Sequence, residues 1–170
     1  MPIDMEDEDT PLFEAFEAHP AFERRDGSFR LTSSSLESEV AIVDDTLRVR
    51  VHLPTLSEVV LDEQIASIVE DAWYDTLERR LREGFDVTRS QGAAEAAVDR
   101  HDAEVVVSYT FDPDAPQTAA NDAKALIEFV IGTYVQGAIP GYAYDAPLGE
   151  LLDRALDSGE ADVRDGVPPG

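Results

Sequence analysis

Carboxylates are the most abundant reactive groups in this chain, with 37 Asp and Glu among 170 residues against 13 Lys and Arg and three His. Acid–base catalysis by two carboxylates needs one of them desolvated, so that the pair splits into an acid and a base. The acids with apolar neighbours are Glu70 and Asp71, close to Trp73, and Glu128. In so acidic a chain each reads equally well as a solvated helix flank, and no catalytic residue is assigned. His19, His52 and His101 fall in a helix end, a strand and a turn, with no two at ligand spacing on one element, so no metal site is expected. Asp112 to Asp114 lacks the spaced oxygens of a calcium loop. The absence of cysteine excludes thiolate chemistry and disulfides. Gly132 and Gly137 have the gap of a phosphate-binding loop. Ala138-Ile139 stands where Lys and Ser or Thr would follow, however, and the stretch closes a helix whose negative end repels anions. No nucleophile elbow, zinc-protease helix or dinucleotide fingerprint occurs. No cofactor is expected.

Aromatic residues give the remaining signal. Trp73 and Tyr74 are adjacent on a helix, so they point about 100° apart and cannot both face one core. Tyr142 and Tyr144 flank Ala143 directly after a turn, and Tyr134 lies one helix end before them. These five residues either cover the core where two helices end or form the amphipathic rim of a groove for a partner or ligand.

The elements that would position them follow from periodicity. Leu61 to Gly84 carries apolar residues every three or four positions and predicts the longest helix, with Arg79, Arg80 and Arg82 at its negative end and Gly84 as a left-handed cap. Thr118 to Gln136 predicts a second long helix, closed by Gly137 and a type II turn over Ile139 to Tyr142. Thr10 could cap a short helix from Pro11 that buries Leu12, Phe13, Phe16 and Phe22. Ser28 to Thr32 reads as a short strand. Leu36 to Val43 and Leu47 to Leu53 alternate around Asp44-Asp45. A tight hairpin there sets Val40 against Val49 and Ile42 against Leu47 on one side, with Glu39 against Arg50 and Glu37 against His52 on the other. Thr55 to Glu58 has capping-box spacing. Glu104 to Phe111 is a central strand. Val87 or the segment 96–100 could supply another, and 147–156 reads as a last short helix. The expected fold is α+β, an antiparallel sheet of about five strands backed by two long helices in the order α-βββ-α-ββ-α-α. Residues 1–10 read as an acidic flexible lead, 11–158 as a single domain and 159–170 as a disordered tail.

A net charge of −24 bounds the partners and the setting. Nucleic acid and anionic membrane surfaces would be repelled, and no basic stripe offers an exception. The clear periodicities and 8% aromatic content argue against disorder as the cause of the charge. An acidic surface with one Lys suits a cytoplasm of molar salt, where the screening length falls to about 3 Å and self-repulsion is cancelled. High salt is therefore an expected requirement. No signal peptide or membrane span is legible, which predicts a cytoplasmic protein.

The segments EAHPAFE (17–23), PTLSEVV (54–60), VEDAWYDTLERRL (69–81) and GTYVQGAIPGYAY (132–144) together resemble an uncharacterised protein family of halophilic archaea, a domain of unknown function. That resemblance implies a halophile and no activity. The element order over roughly 11–137 is similar to that of type III secretion chaperones and their non-secretion relatives. The expected role is a non-enzymatic protein-binding or assembly module, chaperone-like, that holds a partner segment or a second copy. The alternative is an enzyme or small-ligand binder with a pocket between the main helices and the sheet.

Overall fold

The alternation of aliphatic and polar residues around Asp44-Asp45 folds as a period of two dictates. In the computed structural model, which describes residues 10–87 and 94–155, strand β3 (Ser38–Val43) turns into β4 (Thr46–Pro54). The register is Val40 with Val49, Ile42 with Leu47 and Glu39 with Arg50, as the charge pattern requires. Asp44 takes φ 51°, a left-handed value that Asp tolerates. Two further strands, β1 (Phe22–Arg25) and β2 (Ser28–Leu31), join as a hairpin through Asp26-Gly27, both at positive φ. Strand β5 (Val60–Leu61) lies apart. Strands β6 (Ala94–Arg100) and β7 (Glu104–Phe111) close the sheet, whose order is β1-β2-β3-β4-β7-β6, antiparallel throughout.

Val40, Val49, Val51, Leu53, Val105, Val107 and Tyr109 are fully buried on one face of this sheet. Helices cover that face. Helix α1 (Pro11–Ala18) is capped by Thr10, whose Oγ1 accepts from Phe13 N at 3.1 Å, and its Phe13 and Phe16 pack on Phe29 with ring centroids 5.1 and 5.3 Å apart. Helix α4 (Pro116–Gln136) lies along β4 and holds both α1 and α3 (Ser67–Leu81). The opposite face carries Arg48, Arg50 and His52 beside Thr110, Ser108 and Val106. Helices on one side of an antiparallel sheet make the fold α+β.

Four local differences from the sequence reading have physical causes. The helix expected to be the longest begins at Ser67 rather than Leu61 and has 15 residues against 21 in α4, because Val60–Leu61 instead pairs with β8 (Ala143–Tyr144) and Asp62 turns at φ 65°. Ile68, whose spacing from Leu61 and Ile65 predicts an inward position on that helix, is 77% exposed. Phe22 belongs to the extra strand β1 and packs its ring on Phe16, so the sheet has six strands, with β5 and β8 forming a separate ribbon. Gly84 is not left-handed. It opens a 3-10 turn (Gly84–Val87), and a Cβ there would lie 2.6 Å from the Tyr109 hydroxyl. Thr55 precedes the short helix α2 (Leu56–Val59) without a side-chain cap bond. Residues 148–155 form the last helix, α5. The expected acidic lead lies outside the described residues except for Thr10, as does the expected tail 159–170.

Candidate binding groove between two helices

Trp73 and Tyr134 are the aromatic anchors of α3 and α4, and they meet edge to face with centroids 6.4 Å apart. Tyr134 is fully buried, so it is a core residue and not part of a rim. Its hydroxyl donates to Pro54 O at 2.9 Å, tying α4 to the end of β4. Burial first, and the nearby Tyr144 second, push its ionisation well above the ordinary tyrosine value. Trp73 is 5% exposed, yet its Nε1 has no hydrogen-bond partner among the described residues.

That indole borders a groove of about 270 Å³ where α3 and α4 end side by side. Ala72, Trp73, Thr76, Leu77 and Arg80 line it from α3, and Thr133, Gln136, Gly137 and Ile139 from the other side. Positions 73, 76, 77 and 80 share one helix stripe, which is why a single face delivers all four. Gly137 closes α4 in right-handed geometry, φ −79°, its N–H donating to Thr133 O and Tyr134 O. A Cβ on Gly137 would sit 3.5 Å from Trp73 Nε1, so glycine leaves space beside that donor. Arg80 Nη1 donates to Gln136 Oε1 at 3.5 Å, a long bond that leaves the guanidinium largely uncommitted.

The tyrosine pair buttresses the groove. Gly141 takes φ 99°, as the third position of a type II turn demands. The chain then returns Tyr144, whose hydroxyl donates to Ile139 O and accepts from Ile139 N, both at 2.8 Å. Burial raises the Tyr144 ionisation, opposed by the Ile139 backbone bond. Tyr142 meets Tyr144 edge to face at 6.4 Å, and both are half-buried. Tyr74 lies elsewhere. It points toward β6, its hydroxyl donating to Val98 O at 3.4 Å and its ring under the Arg100 guanidinium at 5.2 Å.

The candidate acids are already engaged. Arg100 bridges Asp71 at 2.9 Å and Glu70 at 3.5 Å, and Glu70 also accepts from Ser57 N. Glu128 pairs with Lys124 one helical turn away. His19 meets Asn121 and His52 meets Glu104, and no group of three possible metal ligands occurs among the described residues. Two other clefts of about 300 Å³ each contain at least three acidic residues: Glu37, Glu58 and Glu104 in one, Asp26, Glu37 and Glu39 in the other. The groove at Trp73 has none among the described residues.

Arg80, Gln136, Gly137 and Ile139 escaped the sequence reading. Arg80 looked like a helix-end cation and Gly137 like a helix stop. The available signal was the Trp73-Thr76-Arg80 stripe, which sets an aromatic and a cation on one face of a helix.

No helix among the described residues is long and apolar enough to cross a membrane. The crystal structure of YbjN from E. coli is similar over 68% of this chain and 78% of that one, at 14% identity and a TM-score of 0.38. No curated protein matches. Residues 17–154 match DUF5813, a family of unknown function, and the chain belongs to that family.

Proposed function

We propose that this protein is a non-enzymatic binding module of a salt-rich archaeal cytoplasm, one that seats a segment of a partner protein in the groove between α3 and α4. The observation that carries the reading is the groove's lining. Its wall is apolar and aromatic, its mouth holds Arg80 and Gln136, and among the described residues it contains no acid, on a chain of net charge −24. Interfaces favour such a mix of aromatic anchor, Arg and few other charges. Ala72, Arg80 and Gln136 are exposed, so a bound segment could enter the groove and continue into solvent. The acids nearest Trp73, Glu70 and Asp71, are held in ion pairs with Arg100 rather than turned into the groove. Holding a segment without transforming it is chaperone-like behaviour.

A small-ligand holder is the second reading, favoured by the groove's place between the main helices. Its volume of about 270 Å³ falls just below the ligand-pocket range of about 300–1,000 Å³. The test begins with retention of a partner by the immobilised protein in 2 M KCl, and sedimentation to detect a second copy. Ala72→Arg plugs the groove from an exposed helix position. It should abolish retention or self-association without lowering the melting temperature. A monomer with no retained partner, or retention unchanged by Ala72→Arg, sinks the segment-binding reading. The salt-rich setting has its own test: the melting temperature should climb steeply from dilute buffer to about 2 M KCl as self-repulsion is screened, and a flat or falling curve refutes it.

A further inference from the structure

Resting on that reading of the groove, we infer that the segment it receives is a free polypeptide C-terminus: the terminal carboxylate on Arg80 and Trp73 Nε1–H, the last apolar side chain against Trp73 and Ile139.

Every polar side-chain group that could serve a ligand at the back and mouth of the groove can donate. Trp73 Nε1–H is a donor only, buried, and without a partner among the described residues. A buried N–H left without an acceptor is costly, so an occupant that supplies an oxygen recovers that cost. Arg80 brings five N–H groups in a planar fork suited to a carboxylate, and its bond to Gln136 is long. Gln136 adds an amide beside it. Charge selects in the same direction. Among the described residues, one of the two other clefts sets Glu37, Glu58 and Glu104 against no Lys or Arg and the other sets three acids against Arg25 and Arg30, whereas this one has Arg80 and no acid. The negative end of α4 borders the groove, but it is blunted: Thr133 O, Tyr134 O and Val135 O accept from Gly137 N and Ala138 N at 3.0, 3.2 and 3.1 Å.

Size and openness favour a chain end over a free acid. About 270 Å³ has room for roughly nine waters at ~30 Å³ each, enough for one terminal residue and little else. The exposed mouth lets the preceding residues lie in solvent rather than demand enclosure.

Trp73 is the chain's single tryptophan, so its fluorescence reports on this groove. The probe is the N-acetylated hexapeptide GSGSLF, titrated in 2 M KCl as the free acid and as the C-terminal amide. The free acid should change the Trp73 emission saturably, and the amide should bind at least about tenfold more weakly, having lost the charge-assisted bonds. Arg80→Gln should erase the difference between the two peptides. Gly137→Ala, at a φ that alanine accepts, places a methyl beside Nε1. It should weaken both peptides while the melting temperature holds or rises. Equal affinity for acid and amide overturns the carboxylate assignment. So does binding of 3-phenylpropionate as tight as that of the free-acid peptide, which would make this a small-acid pocket. Absence of any saturable change also overturns it. In that case, loss of partner retention in Ala72→Arg would still leave the groove as a binding site for an internal segment, so the two readings fail separately.

Discussion

Replacing Gly84 with alanine should destabilise the fold, although the position sits at the end of a helix where alanine is ordinarily welcome. Gly84 has no positive φ, so the substitution meets no backbone strain and should by itself stabilise by about 0.4–1 kcal/mol through the unfolded chain. Space decides otherwise. The new Cβ would stand 2.6 Å from Tyr109 Oη, 2.7 Å from Cζ and 2.9 Å from Cε1, closer than real Cβ contacts come. Tyr109 cannot swing away, being fully buried with its hydroxyl donating to Leu81 O. Overpacking of this kind costs about 1–3 kcal/mol. Displacing the hydroxyl orphans a buried carbonyl for about 1–3 kcal/mol more. The net expectation is a loss of about 2–4 kcal/mol, or roughly 5–15 °C in melting temperature for a chain of this length. Chemical denaturation in 2 M KCl gives the number directly. A double-mutant cycle with Tyr109→Phe isolates the contact, because removing the hydroxyl deletes the nearest atom and leaves Cζ in place. The coupling should be about 1 kcal/mol. A Gly84→Ala protein as stable as the parent, or more so, would falsify the close-approach account and return Gly84 to the role of an ordinary helix stop.

Val40→Lys should cost several kcal/mol by placing an unpaired charge on the fully buried sheet face, whereas Glu39→Lys on the solvated face should change stability by about 1 kcal/mol or less. Equal damage, measured by denaturant midpoint, would contradict the register. Truncating Tyr142 and Tyr144 together should lower the melting temperature clearly, since Tyr144 clamps Ile139, while Tyr142→Ala alone should change it much less; the reverse ranking defeats the buttress assignment. Alkaline pH should unfold the protein. Tyr109 and Tyr134 ionise well above the unfolded value of about 10 because burial disfavours the phenolate, so the unfolded state loses protons first. Their stabilisation is complete below pH ~10 and falls by up to about 1.4 kcal/mol per pH unit for each as pH rises beyond it. Tyr134→Phe should flatten that fall, and a denaturant midpoint indifferent to pH between 9.5 and 11.5 counts against it.

The sheet was legible where one register satisfied two faces at once. Val40, Ile42, Leu47 and Val49 asked for the core just as Glu39 asked for Arg50, and no slipped pairing meets both demands. The start of α3 was not legible, because Val60–Leu61 continues the helical spacing and is drawn away only by Ala143–Tyr144, some eighty residues later in the chain. Four-residue β1 is too short to show a period, and Phe22 fits a helix face as well as a strand. The groove was half visible. Trp73 stood out by its type, but the identity of its neighbours depends on how α4 ends against α3, a contact no local spacing encodes. Tyr134 was misplaced for a related reason: a tyrosine looks like a surface residue until Pro54 O is seen to take its hydroxyl.

Strand β4 has its neighbours at very different distances along the chain, β3 at once and β7 only after α2, α3 and β6. On a ribosome adding about 5–20 residues each second, the stretch from Thr55 to Phe111 takes roughly 3–10 s to emerge. For that interval the meander β1 to β4 can exist with the far side of β4 bare, a row of unpaired amides beside Leu47, Val49, Val51 and Leu53. Such an edge invites a second nascent chain. Arg48, Arg50 and Pro54 on the same strand are the residues that discourage that encounter, by charge and by a missing N–H. Their replacement should therefore show first in the yield of soluble protein during synthesis, and only afterwards in the stability of the finished molecule.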